Sequence, residues 1–277
     1  MTLRDCLCTQ LNNSNNTLQN MKKTLLIAAA TLAAGVISIQ AQVYSQNIVG
    51  YANIPMTGGQ EYLVTVPFAV GASNGVNEVF STNLPVGSQV LIWGGTGYTT
   101  YLYDPTDPNV WGTNGVPVWY LSDDSTPASP LPTVKAGQGF FMIPASNLTN
   151  NFSGSIALSV GTSNQMVLTG GLEYCLSSVV PYSGAITNGN NSTGGANLNN
   201  LPVGSQVLIW QGTGFTTALY DPTDPNVWGT NGVPKWYQSD DSTPFVDPSS
   251  GGNVPTLSVG QGLFLIPANN YTWTTGL

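Results

Sequence analysis

The chain has 277 residues, with 13 acidic and 5 basic side chains, no histidine and only 6% charged residues, against the usual quarter. Without histidine there is no Ser-His-Asp triad, no Cys-His pair and no imidazole metal site, and five cations cannot build a basic nucleic-acid surface. Gly (32) and Pro (19) are frequent, so turns should be many and helices few.

The N-terminus reads as an export signal. Met21-Lys22-Lys23 is a charged start, Thr24 to Ile37 is apolar and rich in Ala and Leu, and Ile39-Gln40-Ala41 places a small residue at a cleavage point. The stretch is too short and too poorly flanked for a stable membrane span. Residues 1–20, with Cys6, Cys8 and an Asn-rich run, precede an ordinary signal start and read as a start extension, with translation beginning at Met21. Cleavage after Ala41 leaves Lys135 and Lys235 as the lysines and Cys175 as the lone cysteine, so no internal disulfide is expected. No second long apolar stretch follows, so no transmembrane anchor is expected either. The expected location is secreted, extracellular or at the cell surface.

The elements after the signal are nearly all β. Glu61 to Phe68 reads as a strand, and Val76 to Phe80 as one short helix. Gln89 to Trp93 is a short apolar run, Gly94 to Gly97 a turn, and Tyr98 to Tyr103 alternates aromatic residues with Thr. Together these predict a hairpin. Val118 to Leu121 and Phe140 to Ile143 are further strands, and Ser155 to Val160 is another candidate.

These elements are then repeated. Leu84 to Pro127 matches Leu201 to Pro244 at 39 of 44 positions, at an offset of 117. The exceptions are Gly94/Gln211, Tyr98/Phe215, Tyr101/Ala218, Val118/Lys235 and Leu121/Gln238. Gly137 to Ala145 resumes the match with Gly260 to Ala268 at offset 123, and Thr57 to Tyr62 matches Thr169 to Tyr174 at offset 112. The period is too long for a solenoid. It predicts an all-β chain of two tandem duplicated β-sandwich or open-barrel domains, 42–150 and 151–277, after a start extension (1–20) and a signal peptide (21–41). The join is placed in the Asn-, Ser- and Gly-rich run from Asn147 to Gly161.

Two groups of side chains are candidates for sites. Asp104, Asp107 and Asn109 recur as Asp221, Asp224 and Asn226. Their oxygens could hold one calcium ion per repeat, although the spacing is not that of an EF-hand and Asp-Pro clusters also cap ordinary turns. Calcium is the candidate cofactor, and none is required. Trp119-Tyr120 and Trp236-Tyr237 could form a ligand-binding surface, because aromatic faces beside Asp and Asn suit a sugar. Filling a core is the plainer role for most of these aromatics. Asp123-Asp124 and Asp240-Asp241 are adjacent pairs on loops, which does not suit a glycosidase acid and base. The Gly-x-Gly turns lack the lysine and helix of a phosphate loop. Cys175 falls in an expected strand, where the first repeat has Leu63 as its counterpart, and reads as packing.

Val49-Gly-Tyr-Ala-Asn53, within the segment Gln42 to Asn53 just after the signal, resembles the mature start of exported bacterial β-rich proteins of uncharacterised function. The chain is similar to them again in Trp-x-Gly-x-Gly-Tyr/Phe (Trp93 to Tyr98, Trp210 to Phe215). It also shares Gly-x-Gly-Phe-Phe (Gly137 to Phe141), altered to Gly260-Gln-Gly-Leu-Phe264 in the second repeat. The resemblance implies export and a β-rich fold, and it brings no activity or ligand with it. The expected function is a secreted, non-enzymatic structural or adhesive role, with neighbouring chains adding strands at exposed sheet edges. Its expected partners are further copies of itself or an extracellular polysaccharide or other surface component, with no nucleic acid. The alternative is a carbohydrate-binding protein using the Trp/Tyr and Asp-rich loops.

Overall fold

The computed structural model describes residues 49–71, 73–80, 84–105, 119–122, 126–158, 162–189, 195–222, 236–239 and 254–276. Residues 1–48, where an export signal and a start extension are expected, lie outside them. In chain order the elements are β1 (Val49–Met56), β2 (Tyr62–Thr65), α1 (Val76–Phe80), β3 (Gln89–Trp93), β4 (Tyr98–Tyr103), β5 (Trp119–Leu121), β6 (Gly139–Ile143), β7 (Leu148–Ser155) and β8 (Ser163–Leu168). They continue with β9 (Tyr174–Leu176), β10 (Gly184–Ala185), β11 (Gln206–Trp210), β12 (Phe215–Tyr220), β13 (Trp236–Gln238), β14 (Thr256–Leu257), β15 (Leu263–Ile266) and β16 (Tyr271–Gly276).

All the pairings among the described residues are antiparallel, and the five-stranded arrangement occurs twice. One five-stranded sheet runs β2-β6-β3-β4-β5 and the other β9-β15-β11-β12-β13, equivalent strands in the same order. Each half adds a two-stranded sheet, β1-β7 in the first and β8-β16 in the second. The sheets stack face to face and none closes on itself. Asn47 to Leu277 forms one compact unit.

Period-two alternation explains the stacking. In β3, Val90 enters the core beneath β1 and β7, whereas Leu91 and Trp93 point to the opposite face. In β6, Phe140 and Met142 face that core and Phe141 faces away. The second half does the same: Val207, Ile209, Leu263 and Leu265 face its own core, and Leu208, Trp210 and Phe264 face out. These outward side chains meet across the molecule around buried Leu63, Phe141, Cys175 and Phe264. Each five-stranded sheet is thus covered on both faces, which is why its strands read as continuous apolar runs.

The helix α1 exists because its first turn is closed. The Glu78 carboxylate accepts from the Gly75 N–H at 2.9 Å and from the Ser73 N–H and Oγ–H, both at 3.1 Å. The Gly75 contact is the reciprocal half of a capping box. Val76, Val79 and Phe80 are then buried in the first core.

Two expectations are corrected. The run from Asn147 to Gly161 is a connection only in its later part: Leu148 to Ser155 is a full strand paired along β1, from Met56↔Leu148 to Val49↔Ser155. A boundary at residue 150 would cut β7, so the connection between halves falls between Ser155 and Ser163. Nor does a strand begin at Ser155, since β7 ends there. Some edge strands of the two five-stranded sheets also carry backbone bonds from outside the sheet. The Thr65 N–H at the end of edge strand β2 donates to Gly260 O at 2.8 Å, and the Gly262 N–H donates to Leu63 O at 3.0 Å. At edge strand β9, the neighbouring Ser177 N–H donates to Gly137 O at 2.8 Å. Along β5, the Leu121 N–H donates to Thr126 O and the Ala128 N–H to Trp119 O.

Candidate functional site

The seam between the five-stranded sheets has approximate two-fold symmetry at the level of individual bonds. The Trp93 indole N–H donates to Glu173 O at 3.1 Å, and its counterpart Trp210 donates to Glu61 O at 2.8 Å. The bridge Val64↔Gln261 is matched by Gln138↔Leu176. Six aromatic rings close a circuit through the seam, in which Trp93 meets Phe264, Phe264 meets Phe215 and Phe215 meets Trp210. Trp210 then meets Phe141, Phe141 meets Tyr98 and Tyr98 meets Trp93, with centroids 4.9–5.8 Å apart. Five of the six contacts are edge-to-face and one is tilted, geometries that favour aromatic pairs. A surface that pairs with its own copy must be self-complementary, which accounts for the near-identity of the strands supplying Leu91, Trp93 and Tyr98 in each repeat.

Two equivalent grooves flank this seam. The first, of about 740 Å³, is walled by Trp93, Gln138, Leu172, Glu173, Tyr174 and Met166 among others. The second, about 390 Å³, uses their counterparts Trp210, Gln261, Gln60, Glu61, Tyr62 and Ile54. In both, a glutamine carbonyl pins its own turn: Gln138 Oε1 accepts from the Lys135 N–H at 3.1 Å, and Gln261 Oε1 from the Ser258 N–H at 3.0 Å. In both, a tyrosine hydroxyl accepts a backbone N–H, Tyr174 from Thr169 at 2.8 Å and Tyr62 from Thr57 at 2.7 Å. These are concave, mostly apolar sites with a few fixed polar groups, the usual form of a small-ligand site.

Two groups buried at the seam, Cys175 and Tyr98, are held in their protonated forms. Burial pushes the Cys175 thiol well above its ordinary range. The Tyr98 phenol is raised by burial first, then by the nearby Cys175, Glu173 and Glu61. A thiol so placed is a packing group, because the thiolate is the nucleophile.

The sequence-predicted sites fare differently. Trp119 and Trp236 are 1% exposed, and Tyr120 and Tyr237 are 0% exposed. The Trp119 indole N–H donates to Asn77 Oδ1 at 2.8 Å. Trp119 and Trp236 therefore join the two cores, and Tyr120 and Tyr237 are fully buried as well, which leaves no ring face for a sugar, a correction with a simple cause: both residues of each Trp-Tyr pair on the short edge strands β5 and β13 are enclosed. Asp104 and Asp221 lie half-buried at the ends of β4 and β12. Asp107, Asn109, Asp224 and Asn226 lie outside the described residues, as do Asp123, Asp124, Asp240 and Asp241. The groove residues Glu61, Glu173, Gln138 and Gln261 were not singled out from the sequence. Their signal was the recurrence of Thr-Gly-Gly-x-Glu-Tyr and Gly-Gln-Gly in both repeats, segments that read as plain turns until Trp93 and Trp210 are seen across the seam.

No helix among the described residues is long and apolar enough to cross a membrane. Comparison of the chain with protein families, with curated proteins and with solved structures finds no match.

Proposed function

We propose that this chain is an exported, non-catalytic contact protein with a structural or adhesive role outside the cell. The observation that carries this is the same surface turn shown twice. Val86 and Val203, on identical Leu-Pro-Val-Gly-Ser turns, are each 48% exposed. Both turns are held alike, with the Gly87 N–H donating to Tyr103 O at 2.8 Å and the Gly204 N–H to Tyr220 O at 2.9 Å. Two identical apolar turns on one body give two equal footholds, and bivalence raises apparent affinity without any new contact. Self-association by strand addition is less supported than contact through these turns, because the edges at β2, β9 and β5 are already bonded. The test is retention of purified protein on cells or on itself, read by light scattering and pull-down. Val86→Asp with Val203→Asp should lose far more retention than either single change. Equal loss from one change alone would remove the bivalent reading.

A carbohydrate-binding role is the second reading, and the paired seam grooves favour it over the buried Trp119 and Trp236. Calcium in the Asp-rich loops remains part of the proposal at Asp104 and Asp221. EDTA should lower the melting temperature by several degrees, and an unchanged melt would end the calcium idea.

A further inference from the structure

The twin grooves have diverged in a consistent direction. Next to the lining residue Gly95, Gly94 of the first half stands where the second carries Gln211, which lines the second groove. Leu172 replaces Gln60, and flexible Met166 replaces branched Ile54. Ile54 leans on the facing turn, its Cδ1 lying 2.5 Å from where a Cβ on Gly260 would stand. The first groove is about 740 Å³ and also reaches Ala157, Leu158 and Asn164, and the second is about 390 Å³. The first site is the more open of the two.

From this we infer that the Trp93 groove is the ligand site of the molecule and that its ligand is a neutral oligosaccharide; the inference rests on the carbohydrate-binding reading above. The Trp93 indole N–H is already engaged by Glu173 O, so the ring is fixed in place and offers a ligand only its apolar surface. An apolar ring face suits the C–H face of a pyranose. The hydroxyls of that sugar then need both kinds of partner. Gln138 uses its Oε1 on its own turn, leaving the amide NH2 as donor, and the exposed Glu173 carboxylate is the acceptor. Charge selects against an acidic glycan: the chain carries a net −8, Glu173 stands in the groove, and Lys135 is its single cationic lining residue. Like charge lowers both encounter rate and affinity.

The experiment uses the whole chain. Calorimetric titration is run with four neutral tetrasaccharides (of the cello, chito, xylo and malto series), an anionic tetragalacturonate, and the apolar probe N-phenylnaphthylamine. A neutral tetrasaccharide should bind at one per chain and more tightly than the anionic one. Gly94→Gln should weaken it by about tenfold or more, the order of one lost well-placed contact. This variant should melt like the parent, because Gln211 already occupies the equivalent position with the same backbone bond: Gly94 N–H to Gly97 O is 2.8 Å and Gln211 N–H to Gly214 O is 2.9 Å. Gln138→Ala should weaken binding as well. If a neutral sugar binds but both variants bind it unchanged, the groove assignment falls and the carbohydrate reading survives. If no sugar binds, or only the apolar probe does, both fall. Tighter binding of tetragalacturonate would overturn the ligand class.

Discussion

Gly139 shows how tightly the seam is set at single residues. A Cβ there would stand 2.4 Å from Cys175 Sγ and 3.1 Å from Leu176 N. Gly139→Ala should cost about 1–3 kcal/mol through forced displacement in a packed interior, measured by urea unfolding; a variant as stable as the parent would show that the seam is loose. Cys175 should resist iodoacetamide at pH 8 in the folded protein and react fully in denaturant. Alkaline pH tests the same burial. Cys175, Tyr98, Tyr103, Tyr182, Tyr220 and Tyr271 all have raised folded-state pKa values, with desolvation the first cause in each. A raised value means the unfolded chain gives up its proton first as pH rises. The stabilisation is therefore complete below the unfolded values, near pH 9 for the thiol and 10 for the phenols, and is lost above them. The melting temperature should fall steeply from about pH 9 upward; a flat profile to pH 11 would contradict the burial of these groups.

Among the elements, the hairpin β3-β4 was legible to the residue. Gln89 to Trp93 and Tyr98 to Tyr103 carry β-branched and aromatic side chains around a Gly-rich turn, and local signals sufficed. β7 was not legible. Its Thr149, Asn151 and Ser153 face solvent opposite Pro55, Asn53 and Tyr51, and only Asn150 and Phe152 are buried. A strand with one inward aromatic looks like a linker in sequence, because its strandness comes from pairing with β1 rather than from propensity. The groove was hidden for a related reason. Trp93 and Trp210 sit in apolar runs that resemble core, and only the packing of two sheets shows that alternate residues belong to a second interior. That interior can be tested at Phe141, which touches Tyr98, Trp210 and Phe215. Phe141→Ala should cost about 3–5 kcal/mol, whereas Tyr51→Ala, on an exposed face of β1, should stay within about 0.5 kcal/mol.

For the whole molecule, the shared seam predicts one cooperative unfolding event. The two outer cores are separate clusters, but Leu63 and Phe141 of the first half and Cys175 and Phe264 of the second form a third. Neither half can open without exposing that layer. Calorimetry should show a single transition, and Phe141→Ala should lower it or split it in two; two transitions in the parent would mean the seam contributes little. Only seven residues separate Ser155 from Ser163. Matching surfaces tethered this closely meet at an effective concentration on the order of millimolar, so dilution cannot part them. A pairing that separate subunits would hold only above some threshold of expression is here delivered with every polypeptide, however scarce it becomes.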